Sequence, residues 1–193
     1  MTMSQEHLLE SLTAAGAVLS GHFVLTSGRH SATYVQCARI LEDPALTTRL
    51  AEEIAGQFHG DEIDLVAAPA VGGLIIGFAV AQALGVKFIF SEREQGEMRF
   101  RRAFQVPENA RVLIVEDVVT TGGSVSEVID LVHAAGGVAV AVASIIDRGG
   151  EKRFSTKFKP LLRLEVESWE VDSCGLCASG VDITSPGSRR IGR

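Results

Sequence analysis

The residues best suited to chemistry stand together at positions 112–125, which read VLIVEDVVTTGGSV. Two carboxylates, Glu116 and Asp117, follow an apolar run that is typical of a buried strand. Two glycines and three hydroxyl side chains come next, and the backbone amides of such a turn bind phosphate at the start of a helix. The segment lacks both Gly-Lys-Ser/Thr and the G-x-G-x-x-G spacing, which excludes a nucleoside-triphosphate loop and a dinucleotide fingerprint.

Negative charge beside a phosphate site is consistent with a phosphorylated sugar as the ligand. Carboxylates upstream of the turn would face the sugar, because vicinal ribose hydroxyls donate hydrogen bonds that carboxylates accept. They would also favour a ligand that carries Mg²⁺ and positive charge that develops on the sugar ring. The alternative is that Glu116 and Asp117 only cap the next helix, but a cap does not need so many acids, hydroxyls and glycines in one turn.

A turn of this kind needs a sheet to position it, since ligands in open α/β folds bind at the carboxyl ends of parallel strands. Strands that are apolar on both faces alternate here with helical patterns, which indicates a parallel sheet covered by helices on both sides. We therefore expect an α/β fold with a mostly parallel five-stranded sheet. The predicted strands are 63–67, 86–90, 112–115, 138–146 and 161–166, and the predicted helices are 5–19, 44–58 (capped by Asp43), 73–84 and 124–135.

The N-terminal region is expected to form a small hood beside this sheet. Short β-like runs at 23–25 and 33–36 flank a Ser27-Gly28 turn, which predicts a hairpin. The chain length fits a single domain at 1–193. Within it, we expect the first helix and hood at about 1–40, the α/β core at 41–166 and an irregular surface tail at 167–193.

Composition excludes several classes of protein. The chain of 193 residues is 46% apolar and 22% charged, which is typical of a soluble globular protein, and its net charge of -6 argues against nucleic-acid binding. The first residues lack a secretion signal, so a cytoplasmic protein is expected. Residues 65–86 carry no charge, but Pro69, Gly72 and Gly73 interrupt them and favour a buried strand and helix over a membrane span.

The three cysteines, Cys37, Cys174 and Cys177, are too few for a disulfide framework, and the last two form an isolated C-x-x-C. A zinc site needs two further ligands, which neither a second pair nor a histidine near in sequence supplies, so another subunit would have to provide them. A redox role is less favoured, because the motif does not open a helix in a thioredoxin-like unit. His22 and His30 show no partner in the sequence.

The phosphate-binding stretch resembles the signature of the type I phosphoribosyltransferases, and three other stretches resemble the orotate phosphoribosyltransferases among them. FVLTSGRHSATYV is similar to their hood segment, AAPAVGG stands in the place of their pyrophosphate loop, and IIDRGG matches their Asp-Arg after the penultimate core strand. The resemblance covers about 23–166 in consistent order. It implies a type I phosphoribosyltransferase fold, and a shorter subgroup with a cysteine-bearing tail is the better match.

Residue by residue, the resemblance implies a site for 5-phosphoribosyl 1-pyrophosphate (PRPP) and orotate. Arg148 would bind the orotate carboxylate, which its planar fork matches, although an ion pair is the alternative from position alone. The residues expected to bind PRPP are Glu116, Asp117, Val118, Val119, Thr120, Thr121, Gly122, Gly123, Ser124, Arg93, Ala70, Val71 and Gly72. Those expected to bind orotate are Thr120, Arg148, Thr26 and Ser27, and those expected to act in catalysis are Asp117, Arg93 and Arg99.

The implied reaction transfers the phosphoribosyl group to orotate and gives orotidine 5′-phosphate and pyrophosphate, a step of UMP biosynthesis. Mg²⁺ would be held mainly through the substrate rather than by protein ligands. The arginine-bearing segment 91–102 would act as a lid shared between the subunits of a homodimer. That segment departs from the family, because it is shorter and has four arginines but no Lys or His.

Three alternatives remain open from the sequence. The arginines of segment 91–102 could belong to a solvated charged hairpin. The phosphate signature also fits a purine or xanthine phosphoribosyltransferase, although the hood and Arg148 speak against it. A non-catalytic regulator that senses PRPP is the third, but such proteins usually have a nucleic-acid-binding domain or a basic face, which this acidic chain lacks.

Overall fold

The computed structural model describes residues 3–25, 27–149 and 154–185, and it begins with a helix and a hairpin. Helix α1 (Gln5–Ala14) is shorter than the predicted 5–19, because Gly16 takes a left-handed φ of 70° that ends the helix. Strand β1 (Val18–Val24) follows and pairs antiparallel with β2 (His30–Val35). The predicted hairpin is confirmed, with strands longer than expected.

The core alternates strands and helices as predicted, with shifted ends. The predicted helix 73–84 is confirmed at both ends. Asp43 caps the helix that begins at Pro44, as predicted, and its carboxylate accepts from the amides of Ala45 and Leu46 at 2.9 and 3.2 Å. In chain order the elements are α2 (Ala38–Leu41), α3 (Pro44–Gly56), β3 (Leu65–Pro69), α4 (Gly73–Leu84), β4 (Lys87–Glu94), β5 (Glu97–Phe100), β6 (Arg111–Val119), α5 (Gly123–Ala134), β7 (Val138–Asp147), β8 (Phe158–Arg163) and α6 (Gly175–Ala178).

The sheet has the order β5-β4-β3-β6-β7-β8 and is parallel except for β5. The five parallel strands confirm the predicted sheet. The sixth strand lies in segment 91–102, for which the sequence predicts no core strand. Ser91 to Glu94 extend β4, and β5 folds back on them.

The strands bury alternate residues on opposite faces, as a sheet covered on both sides requires. Leu113 and Val115 of β6 pack in the cluster that holds α1, α3 and α4 residues. Val112 and Ile114 pack in the cluster that holds α5 residues. Helices on both faces therefore fix β6, the strand that ends in the acids, at the centre of the sheet.

The described part of the expected surface tail contacts the hood instead of lying free. His30 and Trp169 exchange backbone hydrogen bonds of 2.8 Å in both directions, and the Thr184 amide donates to the His22 carbonyl at 2.8 Å. Cys174 is buried at 3% exposure. The sequence could not show this packing, because it joins residues that lie near opposite ends of the chain.

The charge-free residues 65–86 form strand β3 and helix α4, as expected. In the described part of the chain, none of the helices has the length and apolar character needed to cross a membrane.

Candidate active site

The acids and the phosphate turn lie at the carboxyl edge of the sheet, where β6 gives way to α5. Strand β6 runs through Glu116 and Asp117 before it ends at Val119, so both acids have fixed backbone positions. Gly122 then takes a left-handed φ of 75°, and the Ser126 amide donates to its carbonyl at 2.8 Å as α5 begins. A pocket of about 270 Å³ is lined by Glu116, Val118, Val119, Thr120, Thr121, Gly122, Gly123, Ser124, Val125 and Glu127.

The loop between β3 and α4, residues 70–73, lies against the acids. A Cβ atom built on Gly72 would stand 2.7 Å from Oδ1 of Asp117, and one built on Gly73 would stand 2.9 Å from the Val115 carbonyl oxygen. The Ala70 amide donates to Ser91 O at 2.8 Å, and the Ala70–Val71 peptide is cis. Glycine at 72 therefore lets this loop and the Asp117 carboxylate occupy neighbouring positions.

The two acids form a coupled pair, in which Glu116 is buried and Asp117 is partly buried. Burial and then the charge of Asp117 raise the pKa of Glu116 well above its usual range. Burial also raises the pKa of Asp117, although hydrogen bonds from backbone amides, led by that of Val118 to Oδ1 at 2.7 Å, act in the opposite direction. The pair is suited to accept hydrogen bonds from sugar hydroxyls and to lie near a cation.

Arg148 lies beside the acids because β7 pairs with β6 up to Val119 and Asp147. The Arg148 amide donates to the Val119 carbonyl at 2.9 Å. Its Nε is buried and has no hydrogen-bond partner among the described residues. Burial lowers the pKa of the Arg148 guanidinium, while Tyr34 and Cys37 act in the opposite direction. A buried guanidinium donor without a partner fits an anionic ligand.

Sequence reasoning missed the end of the hood strand as part of the site. Burial and then the charges of Asp117 and Glu116 raise the pKa of Cys37, while Arg148 lowers it, which shows that these groups are near one another. Tyr34 belongs to the same neighbourhood through its influence on Arg148. In the sequence, Tyr34 lies within the hood stretch FVLTSGRHSATYV and the predicted β-run 33–36. The signal for Cys37 is its place just after that run.

Among the described residues, the hood turn that carries Ser27 makes its contacts within itself and with the tail. Ser27 is exposed, and its Oγ accepts from the Arg29 amide at 3.4 Å within the turn. Arg29 faces the tail, where Nε donates to Ser168 Oγ at 2.9 Å and the guanidinium pairs with Glu170. Thr26 lies outside the described residues.

The arginines of segment 91–102 are paired with glutamates in a hairpin, the arrangement given as the alternative to a lid. Arg93 reaches Glu127 at the pocket, with contacts of 2.8 and 2.9 Å to its two oxygens. The other pairs lie further out on the hairpin, with nitrogen–oxygen distances between 2.6 and 3.3 Å. They are Arg99 with Glu97, Arg101 with Glu94 and Arg102 with Glu92.

Comparison with known proteins agrees with this geometry. The family model described as "Phosphoribosyl transferase domain" matches residues 37–176. The orotate phosphoribosyltransferase of Thermoanaerobacter sp. (strain X514) is 47% identical over 98% of this chain and 100% of its own length. That of Carboxydothermus hydrogenoformans is 49% identical over 90% and 93%.

The fold is shared with solved structures of the same kind. The crystal structure of orotate phosphoribosyltransferase from Aeropyrum pernix matches with a TM-score of 0.71 and 28% identity, over 82% of this chain and 94% of that one. A phosphate turn beside Glu116 and Asp117, a neighbouring glycine loop and the buried Nε of Arg148 are thus found in a chain to which these orotate phosphoribosyltransferases are similar. The chain belongs to the orotate phosphoribosyltransferases, within the phosphoribosyl transferase domain family.

Proposed function

We propose that this protein transfers the phosphoribosyl group of PRPP to orotate, giving orotidine 5′-phosphate and pyrophosphate. The observation that carries the proposal is the position of Arg148. Its buried Nε has no hydrogen-bond partner among the described residues and lies next to the strand that ends in the acids and the phosphate turn. That turn fits the donor's 5′-phosphate, and the guanidinium fits a planar carboxylate on the acceptor. Orotate has such a carboxylate, whereas the common purine bases do not.

Different groups of residues bind different parts of PRPP. The amides and hydroxyls of Thr121 to Ser124 bind the 5′-phosphate at the start of α5, where the helix dipole favours an anion. Glu116 and Asp117 accept hydrogen bonds from the ribose hydroxyls. The amides of loop 70–73, which lies against Asp117, bind the pyrophosphate. Thr120 stands exposed at the strand end, between the sugar and the base.

The chemical step is displacement at the anomeric carbon, with positive charge developing on the ribose ring. Asp117 stabilises that charge, and the turn and loop hold the sugar and the leaving group in line with the incoming base nitrogen. Mg²⁺ fits this edge, because buried carboxylates with raised pKa favour a nearby cation, and when bound it offsets the charge of the pyrophosphate. We expect it to be held mainly through the substrate.

The β4–β5 hairpin is the proposed lid. Arg93 and Arg99 would exchange their glutamate partners for pyrophosphate oxygens when substrate binds. The exchange is feasible because these ion pairs are largely exposed and therefore contribute little energy. Arg93 is the better placed of the two, since its partner Glu127 lines the pocket.

We propose a homodimer formed through α4. Val71, Ile75 and Phe78 are exposed by 80%, 52% and 59%, which leaves an apolar surface beside the pyrophosphate loop. A partner covering this surface would bring a second hairpin near the loop, as a shared lid requires. Phe78→Asp should convert a dimer into a monomer in sedimentation velocity, because it places charge in the interface. An unchanged sedimentation coefficient would place the interface elsewhere.

The cytoplasm is the proposed location of the reaction. All three cysteines are free in the structure, and a reducing compartment keeps them so.

The deciding experiment follows the loss of orotate absorbance with PRPP and Mg²⁺. Arg148→Gln should raise the KM for orotate about 10- to 100-fold and change the KM for PRPP little, because a hydrogen bond to a charged group contributes roughly 1.5–3 kcal/mol. Arg49→Gln, at an exposed position of α3, is the matched control and should behave as wild type. Turnover of adenine, guanine or xanthine in place of orotate would overturn the assignment of the base. An equal rise in the KM values for orotate and PRPP would overturn the role of Arg148.

A further inference from the structure

A second cluster of reactive side chains lies under the hood, away from the proposed active site. His22 of β1, His30 of β2, and Cys174 and Cys177 of the tail bring one nitrogen or sulfur atom each to within 4.8 Å of one another. The first three are buried, with exposures of 1%, 4% and 3%, and Cys177 is partly buried. The C-x-x-C that lacked further ligands in the sequence therefore gains two histidines from the same chain.

The spacing of these atoms approaches that of a zinc tetrahedron. Zinc bonds of about 2.0–2.1 Å to nitrogen and about 2.3 Å to sulfur place two nitrogens about 3.3 Å apart and a nitrogen and a sulfur about 3.6 Å apart. His22 Nε2 and His30 Nδ1 are 2.9 Å apart. Three of the four nitrogen–sulfur distances are 3.5 Å for Cys174 to His22, 3.7 Å for Cys177 to His22, and 3.2 Å for Cys177 to His30.

Hydrogen bonding alone does not account for this arrangement. Nδ1 of His22 is 2.8 Å from the Val181 carbonyl oxygen and must carry a proton to donate to it. Nε2 of the neutral ring then has one lone pair, which can accept one hydrogen. Three groups nonetheless converge on it, namely His30 Nδ1 and the sulfurs of Cys174 and Cys177. A single cation at their centre would bind all four at once.

The surroundings also match those of a metal-binding histidine. Such a histidine usually donates its other ring N–H to a backbone carbonyl or carboxylate, as His22 does to Val181. Two thiolates neutralise a divalent cation, so the filled site would have no net charge in its buried position. We propose that His22, His30, Cys174 and Cys177 form a structural zinc site, which releases two thiol protons when the metal binds.

The site would hold the tail against the hood. In the described part of the chain, backbone hydrogen bonds join the two at isolated β-bridges, of His30 with Trp169 and of Phe23 with Thr184. The hood carries Tyr34 at the end of β2, near Arg148 and the proposed acceptor site. Closed four-ligand sites serve structure rather than catalysis, so zinc is expected to stabilise the hood and to take no part in the transfer.

The first test is the metal content of protein purified without chelators. We expect about one zinc ion per chain by mass spectrometry of the metal. Replacing it with Co²⁺ should produce the visible bands of a tetrahedral site and a sulfur-to-cobalt charge-transfer band. His30→Gln and Cys177→Ser should lower the affinity for zinc by more than the 10- to 100-fold typical of changes around a metal site. The exposed His133→Gln is the matched control and should bind zinc as wild type does.

Three outcomes would overturn the proposal. One is wild-type protein that binds no Zn²⁺ or Co²⁺ when either is added in excess to the reduced, folded chain. Another is a Cys174–Cys177 disulfide in freshly purified protein, seen as a chain mass that is lower by two hydrogen atoms. The third is equal reactivity of the two thiols towards a thiol reagent with and without zinc. These measurements use the wild-type chain, so a variant that fails to fold does not obscure the result, and none of them depends on enzymatic activity.

Discussion

The phosphate turn and the His–Cys cluster are built in opposite ways. The turn takes its acids, glycines and hydroxyls from one continuous stretch that leaves the centre of the sheet and enters α5. The cluster joins two hood strands to a segment 152 positions away from His22. Backbone geometry therefore holds the turn in place before any ligand arrives, whereas the cluster depends on side chains that must be drawn together. Substitutions in the turn should therefore reduce kcat more than stability, and substitutions in the cluster should reduce stability more than kcat.

The largest expected effect is on chemistry at the turn. Asp117→Asn keeps the shape of the side chain but removes the charge that faces the ribose, so kcat should fall on the order of 10²-fold. The midpoint of thermal unfolding should change little, because removing the charge also removes the cost of burying it. Steady-state kinetics and thermal unfolding measure the two effects. Asp130→Asn, on the exposed face of α5, should leave both unchanged. The alternative that Asp117 caps α5 is wrong, because Asp117 lies within β6 and the N-cap residue is Gly122. Near-normal turnover would therefore contradict its assigned role at the ribose.

The next effect tests whether the turn is as rigid as its backbone suggests. Gly122→Ala places a methyl group in a left-handed conformation and into the ring of Phe154. Left-handed strain costs about 1–2 kcal/mol, and overpacking adds about 1–3 kcal/mol. Gly85→Ala shares the strain but meets no atom within 4 Å, so it isolates the first contribution. Chemical denaturation compares the two, and equal losses would show that Phe154 moves away freely.

The smallest effect concerns pH. The pKa of Glu116 is raised above the ordinary value of 4.5, so the folded protein retains a proton that the unfolded chain releases. The contribution of Glu116 to the free energy of unfolding should therefore be greatest below 4.5 and decrease as pH rises towards the folded pKa. The slope is at most about 1.4 kcal/mol per pH unit for one proton. Unfolding curves across this range should lose the slope in Glu116→Gln.

The exposed Glu108→Gln provides the control for the pH series. It should keep the wild-type slope, because it removes a carboxylate without touching the buried pair. A wild-type curve that is flat above 4.5 would show that Glu116 titrates normally in the folded protein.

The same contrast explains what the sequence could predict. The strands, helix α4 and the phosphate turn follow from local periodicity and turn chemistry, and the family resemblance extends them to Arg148. Two differences from the predicted elements have local causes. Gly16 ends α1 early, and the turn at Gln95 and Gly96 lets β5 pair with the end of β4. The cluster was missed for a different reason. Spacing in sequence cannot show that a C-x-x-C meets histidines from an N-terminal hairpin, because only the tertiary fold brings them together.

The return of the tail to the hood also sets an order of events during synthesis. The ribosome makes the β1–β2 hairpin early, yet the strand edges it offers to Trp169 and Thr184 stay unpaired until the whole core has been made. The phosphate turn has its neighbours once the chain has been made as far as Phe154, before the tail is made. All residues of the donor side have therefore been made before the tail that completes the hood. The first hairpin to be made is therefore among the last parts of the molecule to be completed.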